Sequence, residues 1–167
     1  NCSGTPIPFT NHSTSLDGNL TSFLWGFGDG SYSFESNPVH MYSDSGKYNV
    51  DLVTVSSFGC MGNFNDTVSI FSHPLPMIAM NNACVGSSIQ FSGTSNQGTS
   101  VDYQWNLGNG FTSTAPSFNY SFNAPGNYNI SLVATNSNGC TGTHTDQLSV
   151  YPNPIATFDA NEVCHTS

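Results

Sequence analysis

Positive charge is almost missing from this chain. Lys47 is the single basic side chain against ten acids, and the net charge is −9. Proteins that hold nucleic acid release counterions with lysine and arginine, and anionic membranes recruit the same residues. Both are excluded as partners. Charge of either sign is scarce, at 7% of residues, so Ser, Thr, Asn and Gly supply the polarity. Long apolar runs are missing too: none approaches the roughly 20 residues of a membrane span, and no signal-peptide pattern occurs. A sustained 3.6-residue period is absent, which removes helices from the expectation. No C-x-x-C, H-E-x-x-H or phosphate loop is present.

What is there is a repeat. Aromatics make up 13% of the chain, and Trp25 answers to Trp105 and Cys60 to Cys140 at a spacing of 80. A fixed period of this kind defines the structural unit. Trp and Cys are 35 residues apart in both copies, with two extra residues between Trp25 and Pro38 offset by two extra between Tyr120 and Gly126. Such a unit buries only roughly 60 to 65% of its unfolded surface, so a covalent staple is expected.

Alternation gives the strands. Tyr48, Val50 and Leu52 alternate with Asn49 and Asp51, and Tyr128, Ile130 and Leu132 repeat the pattern, as in half-buried β-strands. Phe27-Gly28-Asp29-Gly30 and Leu107-Gly108-Asn109-Gly110 are tight turns, and Pro74-Leu75-Pro76 and Pro152-Asn153-Pro154 mark stiff unit boundaries. The expected organisation is one sandwich over residues 1–73 lacking its first strand, a second over 74–153, and the first strand of a third over 154–167. The chain begins one residue before a repeat cysteine and ends three after another, so it reads as a window of a longer protein.

The run W-x-F-G-D-G, P-x-H-x-Y, G-x-Y-x-V-x-L, carried by Trp25, Phe27, Gly28, Asp29, Gly30, Pro38, His40, Tyr42, Gly46, Tyr48, Val50 and Leu52, resembles the signature of PKD domains. The second copy departs from it at Leu107, Asn109 and Phe118. The resemblance implies an all-β chain of tandem immunoglobulin-like (PKD-type) β-sandwich domains, similar to those of very large secreted surface proteins in the Bacteroidetes. It also implies a non-catalytic spacer, adhesive or protein-contact module.

The repeat pairs Cys2 with Cys60 and Cys84 with Cys140, leaving Cys164 to a residue outside the chain. A metal site is the rival, but no clustered ligands accompany these cysteines. Disulfides would place the chain in an oxidising, extracellular setting. Asp29 is the candidate Ca²⁺ ligand, since a hard cation takes carboxylate oxygens; a turn aspartate capping backbone amides answers to the same residues. No other cofactor is expected. His40 aligns with Phe118 and is expected to be packed or hydrogen-bonded. Trp25 and Trp105 are expected in the cores.

Tyr32, Phe34 and Phe111 lie in or beside turns and are candidates for a sugar-stacking or protein-contact patch. Val53 and Val133 share the outward parity of one strand and are candidates for lateral contacts between units. Asp66-Thr67-Val68 resembles the Bacteroidetes O-glycosylation motif, which makes Thr67 a candidate acceptor. The function expected is a structural repeat segment of a long extracellular filament or cell-surface adhesin, a rigid spacer bound to neighbouring repeats and able to assemble laterally into fibres. The alternative is an accessory module of a secreted hydrolase that contacts polysaccharide or protein.

Overall fold

The computed structural model describes residues 1–16, 18–97 and 101–159, and every regular element among them is a β-strand. By internal contacts the chain forms two compact units. The first comprises Asn1–Pro76, Ser95–Asp102 and Val133–Thr143; the second comprises Met77–Thr94, Tyr103–Leu132 and His144–Ser167.

The first repeat holds β1 (Pro6–Pro8), β2 (Leu20–Gly26), β3 (Tyr32–Ser33), β4 (Val39–Met41), β5 (Gly46–Ser56) and β6 (Met61–Ile70). One sheet has the order β3-β2-β5-β6 and the other is the pair β1-β4. In β5 the alternation works as the sequence implies: Val50 and Leu52 are buried while Asn49 and Asp51 face water. They meet Ile7, Trp25, Phe27, Tyr42 and Ile70 in one apolar core.

The second repeat holds β7 (Pro76–Ala79), β8 (Ala83–Cys84), β9 (Ile89–Ser95), β10 (Val101–Asn106), β11 (Thr112–Ser113), β12 (Ser117–Tyr120), β13 (Gly126–Asn136) and β14 (Thr141–Tyr151). The sheets run β11-β10-β13-β14-β8 and β12-β9-β7. Its core is tighter. Trp105, Leu107, Ile130, Leu132 and Leu148 are fully buried, with Ile78 and Met80 packed against them from the leading strand and its end. Among the described residues no strand stands beside β1 as β7 stands beside β9. Trp25 is accordingly 7% exposed where Trp105 is 0%.

Two sequence expectations are corrected here. The first concerns the loops. Ile7 pairs with His40 and Ile89 with Tyr120; the Gly4 amide donates to Tyr42 O and the Gly86 amide to Phe122 O. His40 therefore corresponds to Tyr120 and Tyr42 to Phe122, at an unbroken spacing of 80. No compensating loop changes exist; matching one proline to another had shifted the alignment by two residues. The second concerns the staple. Cys2 is bonded to Cys140, with Cα atoms 5.7 Å apart, while Cys60 and Cys84 are exposed free thiols. Cys164 lies outside the described residues. The expected pairing failed because Cys60 sits at the turn of the β5–β6 hairpin, ten residues along β6 from the Ile70–Phe71 end where Cys2 bridges.

Closing a loop of sequence separation 138 is worth about 5 kcal/mol in the chain-entropy account. Around this bond the His73 ring contacts two carbonyls, Thr141 O at 2.7 Å from Nδ1 and Ser3 O at 3.0 Å from Nε2. Asn136 Nδ2 donates to Ser72 O and Gln97 Oε1, and Gln97 Nε2 to Ser72. The bond is thus set in a polar seam inside the first unit.

Candidate functional site

The densest polar cluster of the first sandwich sits on its Gly-Asp-Gly turn. Gly28, at φ +78°, brings the backbone against Asn49 O, where a Cβ would lie 2.5 Å away, so only glycine fits. Asp29 then projects toward β4. Its Oδ1 accepts the Ser31 amide at 3.0 Å and the Ser31 hydroxyl at 2.5 Å, and its Oδ2 is 2.7 Å from His40 Nε2. Partial burial would raise the Asp29 carboxyl; the hydrogen bonds from Ser31 and His40, with the His40 charge, outweigh it and bring it down to about 2. His40 stacks on Phe27 with ring centroids 4.1 Å apart. Beneath it, the buried Tyr42 hydroxyl donates to Phe27 O at 2.9 Å. Burial, and then the Asp29 charge and Tyr48, push that phenol up to about 12.

Ser, His and Asp are together here, but not as a catalytic relay. A hydrolytic triad needs the carboxylate on one imidazole nitrogen and the hydroxyl on the other. Here Ser31 Oγ, at 3.3 Å, and Asp29 both meet Nε2. The hydroxyl donates to the carboxylate and is no nucleophile. The second repeat explains the cluster. Asn109 Oδ1 accepts the Phe111 amide at 3.0 Å and its Nδ2 donates to the Tyr120 hydroxyl at 3.0 Å. One latch from turn to strand is built twice, once on a carboxylate and once on an amide. Its role is to hold the turn.

As a Ca²⁺ ligand Asp29 has both oxygens engaged by donors, and among the described residues no group of three or more His, Cys, Asp or Glu could hold a metal ion.

The remaining candidates separate. Tyr32 and Phe34 are 69% and 77% exposed. Phe111 does not join them: it is half-buried, its ring 4.4 Å from that of Tyr120 and 5.7 Å from that of Phe118. It corresponds to Ser31, not to an exposed aromatic of the first repeat. Val53 and Val133 face away from Leu52 and Leu132 yet are half-buried. Thr67 is exposed on β6, its hydroxyl donating to Asn49 Oδ1 at 3.0 Å.

The first sandwich also carries a feature not anticipated from sequence, an open cleft of about 570 Å³ between the segment Phe9–Ser13 and β6. Trp25, Val50 and Leu52 form its floor, and Phe64 and Val68 one wall. Phe64 shares the inward parity of Val68 and Ile70 but is 68% exposed. That mismatch between parity and burial was the available signal.

The PKD domain matches the chain twice, over residues 1–71 and over residues 72–150. The chain belongs to the PKD domain family. The PKD domain is a non-catalytic module. The pre-pro-metalloprotease PrtV of Vibrio cholerae is 29% identical over 150 residues, covering 88% of this chain and 16% of that protein. A microbial collagenase of Vibrio alginolyticus is 40% identical over 68 residues, covering 40% of this chain and 8% of that protein. The solved PKD1 domain of Vibrio anguillarum Epp is 26% identical with a TM-score of 0.44, covering 48% of this chain and 96% of that domain. The chain thus spans about a sixth or less of the length of these protease and collagenase relatives. Among the described residues, no helix is long and apolar enough to cross a membrane.

Proposed function

We propose that these PKD repeats serve outside the cell as non-catalytic, disulfide-stapled spacers within a larger protein. The observation that carries this is the bond from Cys2 to Cys140. A structural disulfide belongs to an oxidising compartment, and a bond enclosing almost the whole of both repeats protects length rather than a site. Under tension the bond carries the load between those two residues. Single-molecule stretching should release none of the roughly 470 Å of contour between them until a reductant is added. Full release from the oxidised chain would overturn the spacer.

A second reading follows from the relatives. The matched metalloprotease and collagenases favour an accessory module of a secreted hydrolase, with Tyr32 and Phe34 as its contact to protein or polysaccharide. Retention on insoluble collagen or polysaccharide, lost in Tyr32→Ala/Phe34→Ala, supports this reading; free passage through both excludes it. A filament or adhesin of many such repeats is the extension of the first reading. Neither calls for a cofactor. Thr67 is the O-glycan acceptor in either case, checked by intact mass before and after Thr67→Ala.

A further inference from the structure

Two links cross one joint inside the first unit, and the second of them is an imidazole. On one side of the joint is a strap, residues 1–3 laid against residues 71–74. Ser3 N donates to Phe71 O and Phe71 N to Asn1 O, both at 2.9 Å. On the other side is the turn between β13 and β14. There Asn136 N donates to Cys140 O, and Cys140 N to Asn136 Oδ1, both at 2.9 Å. Each cysteine is thus braced within its own element, and the bond from Cys2 to Cys140 runs between the two.

His73 spans the same gap beside the bond. Its Nε2 meets Ser3 O at 3.0 Å, one residue past Cys2, and its Nδ1 meets Thr141 O at 2.7 Å, one residue past Cys140. A neutral imidazole has one N–H and one lone pair. With the joint closed, it satisfies one carbonyl and turns its lone pair on the other. The imidazolium donates to both. When the turn moves away, Thr141 O leaves with it, and the neutral ring is sufficient for Ser3 O alone. The closed joint therefore selects the proton, and the open joint releases it.

Asn136 also crosses the joint, donating to Ser72 O at 3.1 Å and to Gln97 Oε1 at 3.0 Å, but amides do not titrate. His73 stands above its ordinary 6.5 because of Ser3 O first and then Thr141 O, opposed by a smaller effect of burial. Among the described residues, no charged side chain of the strap, the turn or the Gln97 segment enters that balance.

The bond is reachable from one end. Cys140 is 1% exposed, whereas Cys2 is half-buried. A small thiol such as glutathione attacks Cys2 Sγ as its thiolate. Cys140 leaves as a thiolate and takes up a proton, and a mixed disulfide forms at Cys2. A second glutathione thiolate then frees Cys2 and departs as oxidised glutathione. The protein gains two electrons and two protons, and glutathione supplies both.

We propose that the joint is a pH-gated staple: protonated His73 clamps Ser3 O and Thr141 O together and so guards the Cys2–Cys140 bond, which a small thiol opens more readily once the ring is neutral. The coupling is reciprocal. The bond raises the affinity of His73 for its proton, and the proton raises the resistance of the bond to thiols by the same factor. The protection is full at acid pH, below the titration of the open joint, and is lost as the pH rises through that of the closed one. The gate deepens the spacer reading, which uses the same bond, yet the two fail separately. A bond of pH-independent stability leaves the spacer standing and removes the gate.

The test uses the full 167-residue chain carrying Cys60→Ser, Cys84→Ser and Cys164→Ser, so that only Cys2 and Cys140 exchange. It is equilibrated with reduced and oxidised glutathione between pH 5 and 8, and free thiols are counted by maleimide gel shift. Below the ordinary thiol value of about 8.5 the exchange itself moves no net proton, so any slope reports a coupled group. The equilibrium constant for bond formation should fall by about threefold or more from pH 5 to 8. His73→Gln should abolish that slope. A flat parent profile overturns the gate, as does a His73→Gln profile as steep as the parent's. NMR titration of the assigned His73 ring in the oxidised and reduced parent needs no variant at that position. The ring should titrate higher with the bond intact, and equal values in the two forms overturn the gate. Loss of the buried-tryptophan emission on reduction, meaning that the sandwich itself unfolds, overturns a local joint.

Discussion

The imidazole of His40 in the first sandwich stands where the phenol of Tyr120 stands in the second, each hydrogen-bonded to the second residue after the first glycine-turn aromatic or leucine. One contact is charged and the other neutral, so the two sandwiches differ in their response to acid. Asp29 titrates near 3.8 when unfolded and at about 2 when folded. Its contribution is present above pH 4 and is lost as the pH falls through 2. It amounts to at most about 2 kcal/mol, less after solvent screening of a partly exposed side chain. Thermal melts between pH 5 and 2 should show the first sandwich losing stability by this route. Asp29→Asn should flatten that response, and Asp29→Asn/His40→Tyr should recover stability lost in the single variant by rebuilding the neutral latch.

His73 responds in the opposite direction. Both ring nitrogens face carbonyl oxygens, of Ser3 and of Thr141, and only the imidazolium can donate from both. These two hydrogen bonds, Ser3 first, raise the His73 pKa above 6.5. The gain is full below the unfolded value and is lost as the pH rises through the folded one. Melting temperature should therefore fall between pH 6 and 9 in the parent chain and fall less in His73→Gln.

Gly142 and Gly62 occupy equivalent positions and should behave differently. A Cβ at Gly142 would meet the carbonyl oxygen of the buried Pro74, whereas at Gly62 the nearest atom is Thr54 Oγ1 at 3.3 Å. Gly142→Ala should cost about 1–3 kcal/mol by overpacking against backbone. Gly62→Ala should change little. Denaturant midpoints of the two variants check this.

The cores should differ in what a truncation costs. Leu132 is fully buried in the core that Ile78 and Met80 pack against, while Leu52 lines an open cleft. Leu132→Ala should cost about 2–5 kcal/mol, because the cavity it leaves is enclosed. Leu52→Ala should fall below that range, since water already reaches its surroundings. Urea unfolding of each variant gives the comparison.

Where packing repeats a local pattern, the sequence alone was enough. Tyr48, Val50 and Leu52 alternate and are inside, the paired tryptophans lie in or at the edge of the cores, and the glycine turns fall where the residues put them. Where placement depends on a neighbour, it was not. The repeat suggested Cys60, 58 residues from Cys2, as its partner, and only the fold brings Cys2 to Cys140, 138 residues away in the Val133–Thr143 segment. Phe111 was a candidate for the contact patch because nothing local reveals that its ring packs against those of Tyr120 and Phe118. The first sandwich was expected to lack its first strand, but the cleft itself was not foreseen, because no local pattern reveals that Phe64, at inward parity on β6, stays exposed beside Trp25, Val50 and Leu52. His73 carried no repeat signal at all, since its counterpart is Asn153.

The Cys2–Cys140 bond has one more consequence. Most of the described chain lies inside a single covalent ring. A protease that cuts one exposed loop of that ring opens it without dividing it, and both pieces stay on the same molecule, still held by the sheets. Only a second cut, or a reductant, frees a fragment. For a module whose relatives include proteases, survival of a first cleavage is built into the connectivity itself.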